Sequence, residues 1–225
     1  PMIAQRDVPP GSADNGFYDC TPASVAMALQ ALAAEGKIPS GVDVSYGKVR
    51  AAFRTAYPIT SKGITFIGAV SLAPGLTNNS VAIDVGVTDS AGWQGFVRDQ
   101  LTQGYPVLAN IPNWQKLEGE RTYTDVEPHA IVITAITDQQ VTYNDPWLGR
   151  AYTMPLAAFG DAWTNTAWYA TFSSQAAAPN TLPAPTLMSP TNGATTPGPR
   201  PTFQWLPAHA GVQYRVEVWD TANRS

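Results

Sequence analysis

Three stretches of the chain place apolar residues at helical spacing. Residues 22–35 (PASVAMALQALAAE) carry Ala, Leu, Val and Met throughout, with Pro in the first turn and Gly36 to stop it, which predicts a helix. Residues 44–56 predict a second, closed at Tyr57-Pro58, because the residue before a proline is pushed out of the helical region. A third is predicted over 90–103, capped by Asp89 or Ser90 and ended by Gly104. The remaining pattern is strand-like. YPVLANI (105–111) and HAIVITAI (129–136) are near-continuous apolar runs, as strands covered on both faces are. QVTYNDP (140–146) alternates after a short polar TDQQ, which predicts a hairpin. AYTMPLAAF (151–159) predicts a strand and a helical turn, and AWYATFS (167–173) a closing strand. Helices precede strands, which argues an α+β domain over residues 1–172.

The pattern changes after Phe172. Residues 173–200 are rich in Pro, Ala, Ser, Thr and Gly, and predict a linker and first turn. Over 201–225, PTFQWLP and QYRVEVWD alternate again. Together with PTLMSPTNGA upstream, these residues resemble the opening strands of a fibronectin-type-III-like module cut off early. That resemblance implies a fragment of a longer, exported, multidomain protein. Composition narrows the classes further. Apolar residues make up 44% and charged residues 13%, with a net charge of −4. No basic stripe is present, so nucleic acid is excluded as the expected partner. No uncharged apolar run reaches the roughly 18 residues of a membrane span. The first residues, PMIAQRD, lack the charged start and apolar stretch of a signal peptide. One cysteine and two histidines allow no internal disulfide and no Cys₂His₂ zinc site, and neither metal nor cofactor is expected.

That one cysteine, Cys20, lies at the mouth of the first predicted helix, where unpaired N–H groups and the helix dipole favour a thiolate. Placement alone also fits a small buried hydrophobe. His129 opens the most strand-like run and is the residue type that serves as a base near neutral pH, although a histidine at a strand start needs no such role. Asp145, sixteen residues later, shares its parity on the predicted hairpin, so both side chains can share a face; Asn-Asp-Pro is also a common turn. Gln5 could offer an amide N–H₂ to an oxyanion, or be an ordinary surface glutamine. His209 lies apart from these, in the C-terminal segment. Taken together, the order Cys…His…Asp supplies nucleophile, base and orienter from separate segments, as a cysteine hydrolase requires.

AQ…DCTPASVAMAL, GYPVLANI and PHAIVITAITDQQVTYNDPWLG…MPLAAF…W resemble the peptidase C39-like branch of the papain-like cysteine peptidases, over roughly residues 3–170. The resemblance implies a helical lobe packed on an antiparallel sheet, with the site in a cleft between them. It implies Cys20 as nucleophile, His129 as base, Asp145 as its orienter and Gln5 as oxyanion helper, acting on a peptide or protein substrate. Well-known members trim leader peptides after double glycine while fused to transporters. This chain shows no transporter segment, so that specificity is not carried over, and a secreted or surface enzyme is expected. Family members often carry Gly after the cysteine; here Thr21 stands there, and its branched side chain is expected to narrow the approach. Asp19, Thr21, Trp114 and Trp147 are the candidates for substrate contacts, with 113–128 as a wall or lid. Two other readings share the same residues: a catalytically weak fold that binds peptides, and an acyl or peptidyl transferase.

Overall fold

The computed structural model describes residues 1–8, 16–57, 66–87, 92–117, 128–163, 168–175, 186–189 and 204–206. The chain divides into two compact units, Pro1–Ala176 and Ala177–Ser225.

In the first unit, helix α1 (Cys20–Ala34) begins two residues before the predicted start, so Cys20 is its first residue. Pro22 sits in the first turn, where a missing N–H costs nothing because those groups have no helical partner. Gly36, at φ +73°, ends the helix in a left-handed turn. The N–H of Lys37 returns to Leu32 O at 2.9 Å and that of Gly36 to Ala33 O at 3.0 Å, closing the last carbonyls. Helix α2 (Tyr46–Ala56) starts from Ser45, whose side chain accepts from the Lys48 N–H, and ends at Tyr57 as Pro58 predicts. Helix α3 (Ile67–Thr77) is unpredicted. It carries Gly68, Pro74 and Gly75 and has no polar stripe, so it shows no amphipathic period. Helix α4 (Trp93–Thr102) is capped by Gly92 rather than Asp89 or Ser90, which lie outside the described residues. Helix α5 (Leu156–Ala162) replaces the single turn expected there.

Six strands form one antiparallel sheet: β1 (Val81–Val87), β2 (Val107–Ile111), β3 (His129–Ile136), β4 (Gln140–Asp145), β5 (Arg150–Pro155) and β6 (Trp168–Ser174), in the order β1-β6-β2-β3-β4-β5. β1 is also unpredicted, although Val81, Ile83, Val85 and Val87 alternate; it pairs with β6 from Val81↔Ser174 to Val87↔Trp168. The sheet is covered on both faces, which explains the apolar runs of β2 and β3. Leu108, Ala130 and Val132 face one core with α1, α2 and α3. Val107, Ala109, Ile111, Ile131 and Ile133 face a second core with Trp93 of α4 and Phe159 of α5. Helices against an antiparallel sheet are the papain-like α+β arrangement that the sequence motifs imply.

In the second unit, β7 (Thr186–Ser189) pairs antiparallel with β8 (Gln204–Leu206). β7 falls within PTLMSPTNGA, the part of 173–200 that resembles an opening strand, while 213–220, expected as a further strand, lies outside the described residues. Among the described residues no helix is long and apolar enough to cross a membrane.

Candidate active site

Three element ends meet at one edge of the first unit: the start of α1, the start of β3 and the end of β4. Val132 stands opposite Asn144 in the β3–β4 ladder, which leaves Asp145 diagonal to His129 on the same face. His129 Nε2 lies 2.7 Å from Asp145 Oδ1. The other ring nitrogen is left for Cys20, with which the His129 side chain also hydrogen-bonds. Asp145 is held in turn, its Oδ1 accepting the Trp147 N–H at 2.8 Å. Cys20 is half-buried, and His129 and Asp145 are buried.

The electrostatics follow from these contacts. Burial pushes the Cys20 thiol up. The His129 ring, through its hydrogen bond and charge, and the N–H groups of Ala130 and Thr21 push it down further, so the net position is below the ordinary thiol value. Burial works against a charged His129, whereas the Asp145 carboxylate and then Cys20 favour it; the balance lifts the imidazole to about 9. Both shifts favour the same state, a thiolate beside an imidazolium. The backbone of Ala130 is held at both its groups: its N–H reaches the Cys20 sulfur, and its carbonyl accepts from Ser24 Oγ at 3.1 Å.

Gln5 is tied to the segments that carry Cys20 and Asp145, with its amide engaged. Its Nε2 donates to Gly16 O at 3.1 Å and to Phe17 O at 2.6 Å, which uses both hydrogens of the group. Its backbone N–H donates to Pro146 O at 2.6 Å, beside Asp145. This close crossing depends on Gly16, which sits at φ +72° and whose added Cβ would stand 2.1 Å from Gln5 O.

The four residues expected to contact substrate divide. Asp19 has no exposed surface; its carboxylate turns away toward Arg50 and Arg54 of α2, which pair with it. Thr21 is buried in the first turn, so what it offers the site is its N–H and not a wall. Trp114, in a short 3₁₀ turn (Trp114–Lys116), is buried in the second core, in the same apolar cluster as Ile111 and Trp163. Residues 118–127 of the expected lid lie outside the described residues. Trp147 alone is half-exposed near the site, with the Phe17 ring edge-on at 5.5 Å and the Arg6 guanidinium 5.8 Å from its ring centre. Sequence reasoning missed Tyr46, Arg50 and Arg54. A readable signal was their spacing, i, i+4 and i+8 on one helix in a chain with only thirteen Lys and Arg.

Among solved structures, the chain is similar to the peptidase domain of Streptococcus ComA, a bifunctional ABC transporter involved in a quorum-sensing pathway. The two share 19% identity at a TM-score of 0.47, over 77% of this chain and 98% of that one. A C39-like peptidase from Bacillus anthracis matches at 16% identity and a TM-score of 0.46, over 76% of this chain and 93% of that one. No curated protein matches. A match to the Peptidase_C39 like family spans residues 1–171, well over half of the 225 residues, and by that match the chain belongs to this family.

Proposed function

We propose that the chain hydrolyses peptide bonds as a cysteine peptidase, with Cys20 as nucleophile, His129 as general base and acid, and Asp145 as the group that orients the ring. The observation that carries this reading is the His129 ring bridging Cys20 and the Asp145 carboxylate. The Cys20 thiolate attacks the substrate carbonyl, and the imidazolium returns its proton to the leaving amine. Water then takes the same path: His129 removes its proton, and the hydroxide releases the acyl group from sulfur. Asp145 accepts from Nε2 throughout, which fixes the ring so that the nitrogen facing sulfur carries the moving proton. The oxyanion falls first to the backbone N–H of Cys20, at the start of α1, where helix N–H groups lack helical partners. Gln5 joins it only by releasing Gly16 O or Phe17 O.

The test is the rate at which iodoacetamide alkylates Cys20 at pH 6, followed by cleavage of a mixed peptide library. We expect labelling at least about tenfold faster than for free cysteine, since a thiolate held at low pH is the reactive form. Library cleavage should disappear in Cys20→Ser. Labelling no faster than free cysteine sinks the proposal. The engaged amide of Gln5 favours a second reading, a slow or inactive peptide-binding form; fast labelling without any library cleavage would support that one.

A further inference from the structure

Asp19, the residue immediately before Cys20, is a buried carboxylate with no exposed surface, yet it caps nothing: its side chain makes no hydrogen bond to α1. It turns instead to one stripe of α2. Arg50 Nε donates to Oδ2 at 2.6 Å, Arg54 Nη2 pairs with Oδ1, and the Tyr46 hydroxyl lies 3.3 Å from Oδ2. That hydroxyl donates to Gln5 O at 2.6 Å. Burial and the neighbouring carboxylate push Tyr46 above the ordinary phenol value, so it stays a donor. The neighbouring face of α2, with Val49 and Phe53 fully buried, already anchors the helix in the apolar core. Holding α2 in place therefore does not need an ion cluster, and apolar side chains of similar volume do that work without desolvating three charges. What the cluster does hold is the residue before the thiol and the carbonyl of Gln5, whose own N–H reaches Pro146 beside Asp145.

We propose that Asp19, Tyr46, Arg50 and Arg54 are positioning residues for the reaction at Cys20: α2 grips the start of the nucleophile helix and the Gln5 segment, while its two guanidinium groups cancel the Asp19 charge that would otherwise oppose a thiolate next door. This rests on the cysteine-peptidase reading of the same centre. Among the described residues, His129 from β3 acts on Cys20 directly, Asp145 from β4 stands behind its ring, Asp19 precedes Cys20 in the chain with Tyr46, Arg50 and Arg54 of α2 on its carboxylate, and Arg6 lies over Trp147. Losing one guanidinium leaves Asp19 with more uncancelled negative charge, which raises the pH at which the thiolate forms.

Because Cys20 is the only cysteine, alkylation reports on it alone. The pH profile of iodoacetamide labelling is measured for the wild type, Arg54→Gln and Arg54→Lys, with folding checked by thermal melts. Arg54→Gln is expected to raise the midpoint by about half a unit or more and to slow labelling at pH 6 roughly threefold, and Arg54→Lys to restore most of the wild-type profile. Tyr46→Phe keeps the volume and removes one donor. Inactivation by a peptidyl chloromethyl ketone should lose about fivefold in its limiting rate in this variant, with the concentration dependence changed less than about twofold. A folded Arg54→Gln with the wild-type midpoint overturns the charge role, and a Tyr46→Phe that changes only the concentration dependence overturns the positioning role. Slow labelling of the wild type itself would instead sink the peptidase reading, so the two failures are distinguishable.

Discussion

The two nitrogens of the His129 ring have separate tasks, and the pH dependence follows from them. Nε2 gives its hydrogen to Asp145, and the other nitrogen faces Cys20. The imidazolium is favoured by the carboxylate against burial, which lifts it to about 9, while the same charge pulls the thiol below its ordinary value. The thiolate–imidazolium pair is therefore present over the interval between the two. Activity should rise on the acid side as Cys20 loses its proton, and fall on the alkaline side near pH 9 as His129 loses its own. Asp145→Asn keeps the shape and removes the charge. Burial then acts with less opposition, the imidazole falls from about 9 toward or below its ordinary value, and the alkaline limb moves to lower pH. A pH profile of kcat/KM, or of labelling if no substrate is found, shows it; an alkaline limb unmoved in Asp145→Asn would contradict the assigned role. Cys20, His129 and Asp145 were legible in sequence because each stands at an element end in a recognisable order. The turning of Asp19 into the protein was not legible. A carboxylate before a cysteine reads as helix cap or cleft wall alike, and only the arrival of two arginines from α2 decides between them.

At the scale of elements, the site depends on how α1 is fastened to β3. Apolar packing brings the two together through Ala23, Met27, Ala130 and Val132 in one core, but such contacts leave a helix free to slide by fractions of an ångström. Ser24 Oγ, one turn beyond Cys20, donates to Ala130 O and fixes the register between them. Ser24→Ala leaves that carbonyl without this donor in a fully buried place, which costs about 1 kcal/mol, up to about 3 if nothing replaces it. A chemical denaturation series should show the loss with an unchanged slope, together with a modest fall in Cys20 labelling rate. Full stability in Ser24→Ala would show that the bond carries no weight. Element patterns were legible where one period dominated, as in β2, β3 and α1. They failed for α3, whose apolar composition with glycines and a proline carries no helical stripe. They failed also for β1, an edge strand that closes the sheet only by pairing with β6, far along the chain.

At the scale of the whole molecule, the residues named in both cores and in the candidate site all lie in the first unit, Pro1–Ala176. The first core takes Ala170 and Phe172 from β6, and Tyr169 of the same strand packs against the second. The last strand of the large sheet is fastened at its end by the Gln175 N–H, which donates to Ser80 O at 2.9 Å, and by the Ser174 N–H, which donates to Tyr105 Oη at 2.9 Å. The second unit, Ala177–Ser225, has its own pairing of β7 with β8. A chain ending at Ala176 therefore keeps every interaction described at the site. It should melt within about 2 °C of the full chain's main transition and label at Cys20 with the same pH profile, since domains with their own core fold alone. A chain ending at Phe172 loses the Ser174 and Gln175 bonds that fasten β6, and with them the edge pairing to the start of β1. It should melt lower by several degrees, on the order of 1–2 kcal/mol for the two lost N–H bonds. A large fall in melting temperature or in labelling rate for the chain ending at Ala176 would show instead that the second unit is part of the catalytic fold.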